Sequence, residues 1–233
     1  ERHYQRQYQK KYKKINWSFK SMKGLKICGV SDPKTLTYIL NHRHKPSMIG
    51  FITNYEKSRR FVEYQKLKDL INVDKKNVSF VSVLVNPNDE ILERIKDLNF
   101  DYYQLYDVDA DRTNEIKSKY KIKIITSITV ASKNDVNKYK DYSKISDIIL
   151  FDSKGYHKSE SFDHNLLDIV PNELNKMIAG NIQIEDISKF KNKDFIIDLS
   201  GSLEDANGKK DINKIDKLLN LYAKIWKLRK KFH

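Results

Sequence analysis

Cysteine is nearly missing from this chain: one stands among 233 residues, with only four prolines, seven glycines and two tryptophans. A single cysteine excludes a disulfide framework and fits a reducing, cytoplasmic setting. No apolar run reaches the roughly 18 residues of a membrane span. The first stretch lacks the apolar segment of a secretory signal. Both phosphate-cradling glycine signatures, G-x-x-x-x-G-K-[ST] and G-x-G-x-x-G, are absent. His42 and His44 lie two apart with no further ligands in view, so no metal is expected.

Positive charge is what the chain has in excess. Lys and Arg number 45 against 31 Asp and Glu, a net +14. Residues 1–23 hold eight of these cations against one Glu, half of the excess. The opening "ERHYQRQYQKKYKKINWSFKS" is polar, basic and rich in Tyr and Gln, and reads as an extension (1–21) outside a domain spanning 22–233. Elsewhere the lysines read as solvated surface, with a mild attraction for a small phosphorylated anion. A barrel that binds nucleic acid is the competing reading of the charge. Basic stripes with interleaved aromatics are confined to residues 1–20, which argues against it.

Eight short β-branched runs recur: Leu25–Cys28, Met48–Ile52, Val78–Val85, Tyr102–Leu105, Ile122–Val130, Ile145–Phe151, Lys176–Ala179 and Phe195–Leu199. Several are near-continuous rather than alternating, as in strands covered on both faces. Helical patterns lie between them. "SDPKTLTYIL" opens with a capping residue and a proline in the first turn. "NPNDEILERIKDL" sets Ile91, Leu92, Ile95 and Leu98 on one face, and the last helix does the same with Ile212, Ile215, Leu219, Tyr222 and Ile225. Segments near 110, 135 and 185 are helical but weaker, and "SFDHNLLD" has room for one or two turns. Eight alternating βα units in about 210 residues predict a single (β/α)8 barrel with short loops, an open doubly wound sheet being the rival.

Gly29, Gly155, Gly180 and Gly201 follow predicted strands, and Gly208 precedes the last helix. In a barrel these positions form the C-terminal rim, where active sites are built. Cys28 ends the first strand and Asp152 ends the sixth, so a barrel brings both to that rim. Each also has a plain structural reading, as a small buried hydrophobe and as a loop anchor. His157 stands in the loop after strand six, as a solvated residue or a substrate contact.

The ordered set "LKICGVSD", "IGFITNYEKSRRFV", "VSVLVNPNDEIL", "DYYQLYD", "ILFDSK", "MIAGNI" and "IDLSGSLEDANGKKD" resembles the phosphoribosylanthranilate isomerase family of tryptophan biosynthesis, from about residue 24 to 226. The resemblance implies a cofactor-free Amadori rearrangement on a (β/α)8 barrel, with a phosphorylated small molecule as substrate and a monomer or homodimer as the working form. It implies Cys28 as general base, acting as a thiolate, and Asp152 as general acid. Arg60 would bind the anthranilate carboxylate, with Arg59 as the offset alternative. Gln104 would contact substrate and Asp198 would lie near the reacting amine. Gly180, Asn181, Ser200, Gly201 and Ser202 would hold the phosphate. The chain departs from the family's usual Q-L-H at Gln104-Leu105-Tyr106. It also departs from the glycine-rich stretch after strand six, from G-G at Gly180-Asn181, and from S-S-G-V-E at "SGSLE". These departures leave a divergent but active enzyme as the expectation, with a sugar-phosphate isomerase of altered specificity as the alternative.

Overall fold

The computed structural model describes residues 22–153 and 162–230, with side chains up to Trp226. The extension 1–21, Gly155 and His157 lie outside the described residues. Eight parallel strands close into a barrel in sequence order: β1 Gly24–Cys28, β2 Met48–Ile52, β3 Ser79–Val85, β4 Tyr102–Tyr106, β5 Lys123–Val130, β6 Ile148–Ser153, β7 Lys176–Ile178 and β8 Phe195–Leu199. β8 pairs with β1, which leaves the ring without an open edge.

The outer layer is α1 Pro33–Asn41, α2 Tyr64–Ile71, α3 Asp89–Ile95, α4 Ala110–Tyr120, α5 Lys133–Asn137, α6 Tyr139–Tyr142 and α7 Ile212–Lys230. Short polar residues start several of these helices. Asp32 accepts from the Thr35 N–H at 2.8 Å with Pro33 in the first turn, and Asn88 and Asp109 cap α3 and α4 in the same way. After β6 and β7 the chain forms 3-10 turns, His164–Ile169 and Ile184–Phe190, in place of α-helix. A 3-10 turn rises about 2.0 Å per residue against 1.5 Å. A link of six or seven residues then covers more of the strand's length.

Strand side chains alternate between two cores. Leu25, Ile27, Ile49, Phe51, Phe80 and Leu84 point outward, against Leu36 and Ile39 of α1, Leu92 of α3, Ile116 of α4 and Leu219 of α7. Met48, Val81, Val83, Ile125, Leu150, Met177 and Ile196 fill the barrel's interior. Each fully buried aliphatic side chain contributes roughly 1.5–3 kcal/mol. The same alternation sets polar groups inside the ring: Lys26 with Cys28 on β1, Gln104 with Tyr106 on β4, Asp152 on β6 and Asp198 on β8.

Candidate active site

Lys26 is fully buried inside the barrel. Its register partner across the β1–β8 seam is Asp198. The ammonium donates to Asp198 Oδ2 at 2.7 Å. Burial works to lower the Lys26 pKa, but the Asp198 charge and the neighbouring Cys28 thiol outweigh it and hold the pKa above its ordinary value. Asp198 Oδ1 has no hydrogen-bond partner among the described residues.

Cys28 is two residues on, at the mouth and 8% exposed. Burial pushes its thiol above the ordinary 9.0, and the Lys26 ammonium opposes that rise without cancelling it. The sequence left the Cys28 pKa open; in the fold, desolvation of the thiolate outweighs the neighbouring cation. Across the β1–β2 pair, Cys28 faces Gly50. A Cβ at Gly50 would stand 2.8 Å from Cys28 Sγ and 3.0 Å from Lys26 Nζ, so β2 carries no side chain where β1 carries two.

Asp152 enters from the opposite side, one residue before the end of β6. Its Oδ2 accepts the Tyr106 hydroxyl hydrogen at 2.8 Å, and the Gln104 amide donates to that hydroxyl at 3.2 Å. Burial raises the Asp152 carboxyl from 3.8 to about 6, against the Tyr106 hydrogen bond, which favours the ionised form. The Tyr106 phenol feels the charges of Asp152, Cys28 and Asp198, which places all four groups around one mouth. Gln104 Oε1 and the β5 hydroxyl of Ser127 are buried with no hydrogen-bond partner among the described residues.

The loops after β7 and β8 form the rest of the rim. Gly180 has φ +97 and Asn181 φ +49, the left-handed region where Asn is tolerated better than most residues. A Cβ at Gly180 would approach the Ser153 backbone nitrogen to 2.8 Å. Ser202 Oγ is buried with no hydrogen-bond partner among the described residues, whereas Ser200 Oγ already donates to the Cys28 carbonyl at 3.0 Å. The buried Lys210 ammonium donates to the Ser200 carbonyl at 2.9 Å and to Glu204 Oε1 at 3.0 Å. Arg60 grips the same Glu204 carboxylate through two N–H groups, Nε to Oε1 and Nη2 to Oε2, the latter at 3.0 Å. Arg60 thus stands at the rim in carboxylate-binding geometry, with an internal carboxylate as its partner. Arg59 leans on the neighbouring Gly208 loop.

Sequence reasoning passed over Lys26, Glu204 and Lys210. Lys26 had a signal, since two residues before Cys28 in a strand is the same face. His42 serves structure: its Nδ1 contacts the His44 carbonyl at 2.6 Å and its Nε2 lies 3.2 Å from Asp216. No group of three or more His, Cys, Asp or Glu suited to a metal occurs among the described residues. No helix among them is long and apolar enough to cross a membrane.

An acid and a thiol sharing the C-terminal mouth of a closed parallel barrel define a (β/α)8 protein equipped for acid–base chemistry. Residues 25–221 match the family model described as N-(5'-phosphoribosyl)anthranilate (PRA) isomerase, and the chain belongs to that family. Curated relatives named N-(5'-phosphoribosyl)anthranilate isomerase include one from Rhizobium johnstonii, 29% identical over 86% of this chain and 94% of the relative. Another, from Sulfurihydrogenibium, is 28% identical over 84% and 97%. The Thermotoga maritima phosphoribosyl anthranilate isomerase structure superposes with a TM-score of 0.72 at 21% identity, over 84% of this chain and 96% of that one. A phosphoribosyl anthranilate isomerase in complex with reduced 1-(o-carboxyphenylamino)-1-deoxyribulose 5-phosphate gives 0.70 at 20% identity, over 84% and 95%.

Proposed function

We propose that this chain catalyses the Amadori rearrangement of N-(5'-phosphoribosyl)anthranilate to 1-(o-carboxyphenylamino)-1-deoxyribulose 5-phosphate, a step of tryptophan biosynthesis. The observation that carries the reading is a buried carboxyl, half-protonated near pH 6, sharing one barrel mouth with the chain's single thiol. Asp152 gives its proton to the furanose ring oxygen. The C1–O bond breaks, and the anthranilate nitrogen lone pair forms the C1=N iminium. Cys28, as thiolate, removes the C2 proton, and those electrons form the C1=C2 enolamine, which tautomerises to the ketone. Asp198 Oδ1 is the unpaired acceptor suited to the amine N–H, and Gln104 Oε1 suits a sugar hydroxyl. Arg60 donates to the anthranilate carboxylate in competition with Glu204. Backbone groups of Gly180, Asn181, Ser200 and Gly201, with the Ser202 hydroxyl, hold the phosphate.

The test is loss of anthranilate-type fluorescence on adding freshly made phosphoribosylanthranilate. Turnover by the unmodified protein is expected, with a drop of at least about a hundredfold in Cys28→Ala. A folded wild type without turnover would overturn the reaction. Near wild-type turnover in Cys28→Ala would remove Cys28 from the base role.

A further inference from the structure

Tyr106 stands where the family resemblance leads one to expect a histidine. Its phenol is inside the barrel mouth and sits in a directed chain of hydrogen bonds. The Gln104 amide Nε2 donates to the phenol oxygen at 3.2 Å, and the phenol donates onward to Asp152 Oδ2 at 2.8 Å. The amide can only donate from that nitrogen. The phenol oxygen therefore accepts from one side, and its hydrogen is directed to the carboxyl on the other. β-strand alternation makes the chain possible, because Gln104 and Tyr106 are two apart on β4 and share a face.

We infer that Tyr106 is a positioning residue for the general acid: its hydroxyl fixes the Asp152 carboxyl and holds that group's ionisation within the working range of the enzyme. The inference deepens the isomerase reading and rests on it for Asp152's role. A histidine at this position titrates near neutrality and changes from acceptor to donor as it does so. A phenol stays protonated throughout, and burial pushes the Tyr106 ionisation well above its ordinary 10.0, so it remains a donor at every pH at which Asp152 changes state. Among the described residues, the side chains acting on Asp152 include Tyr106 from β4, Asp198 from β8 and Lys26 from β1, and the Ser153 backbone N–H also favours its ionised form. Of these, Tyr106 alone has a side-chain hydrogen bond to it. That bond favours the carboxylate, so it counteracts a burial that would otherwise keep the acid from releasing its proton.

The experiment is a carbon-13 carboxyl titration of aspartate-labelled protein, with the Asp152 resonance assigned by its disappearance in Asp152→Asn. Tyr106→Phe removes one oxygen and keeps the ring. The Asp152 titration should move up by about one pH unit, the worth of one hydrogen bond to a charged group. The acidic limb of kcat/KM should move up with it by the same unit. Gln104→Leu removes the amide that orients the phenol, and should move the same resonance in the same direction by less. The two variants are independent, so a folding defect in one leaves the other as the test. An Asp152 titration within 0.3 unit of wild type in a folded variant overturns the inference. The titration reads the pair directly, so a wild type without turnover sinks the isomerase reading and leaves this result standing.

Discussion

Asp152→Asn is expected to abolish turnover and to stabilise the protein at neutral pH. The folded-state carboxyl titrates near 6, against an ordinary 3.8. A difference of about two units at 1.36 kcal/mol each is about 3 kcal/mol. The sign follows from which state holds the proton more tightly. A folded pKa above the unfolded one means that the native state favours the protonated acid. Below pH 3.8 the group is neutral in both states and adds no penalty. As the pH rises from about 4 to about 6 the native state loses this advantage, and above 6 it carries the full cost of a buried carboxylate. Asparagine has the same shape, carries no charge and can still accept from Tyr106. Its amide hydrogens need acceptors in a buried place, which trims the expected gain to about 2 kcal/mol. In urea unfolding that corresponds to a midpoint higher by roughly 1 M at pH 7.5. The gain should shrink steadily toward pH 4, where both proteins present a neutral group. A variant no more stable than wild type at pH 7.5, or a gain independent of pH, would refute the argument that burial is what raises this acid.

The wild-type pH profile of kcat/KM should be a bell, with its acidic limb near 6 and its alkaline limb above 9.0, because the proposed mechanism uses a protonated Asp152 and an ionised Cys28. Iodoacetamide labelling of Cys28 should accelerate through the same alkaline range, and a labelling midpoint below pH 8 would contradict it. Lys26→Met should cost roughly 3–5 kcal/mol by leaving Asp198 buried without its cation, while Lys26→Met with Asp198→Leu should cost clearly less. Equilibrium urea unfolding of the three proteins checks this, and equal losses in the single and double variants would show that the pair is no unit.

Much of the barrel was legible because its strands are covered on both sides and therefore written in β-branched runs. Met48–Ile52 and Phe195–Leu199 end where those runs end. Cys28 and Asp152 could be placed at the mouth because each closes such a run. The Arg60–Glu204 grip could not be read, since its partners are 144 residues apart and meet only when β8 closes on β1. The rise of the Cys28 pKa was hidden for a related reason. It is the balance between burial and the Lys26 charge, and burial belongs to the assembled fold rather than to any stretch of sequence. Lys26 was within reach, because strand alternation places it beside Cys28. Hydrophobic patterning reads a lone lysine in an apolar run as an interruption, however, and Asp198 is what makes it an interior residue.

Gly50 constrains how this enzyme can change over generations. The space its missing methyl would occupy is already filled by the Cys28 sulfur and the Lys26 amine. A mutation on β2 is therefore judged by two residues on β1, a neighbouring strand more than twenty positions earlier in the chain. The exposed positions of the rim loops, Asn181 and Gly201 among them, lie outside that constraint and can be rewritten one substitution at a time. A longer side chain at position 28 competes with Lys26 for the room that Gly50 leaves, and a larger residue at 50 needs a shorter one at 26 or 28 first. The order of steps is then restricted to paths in which β1 changes before β2, so that Cys28, Lys26 and Gly50 constrain one another.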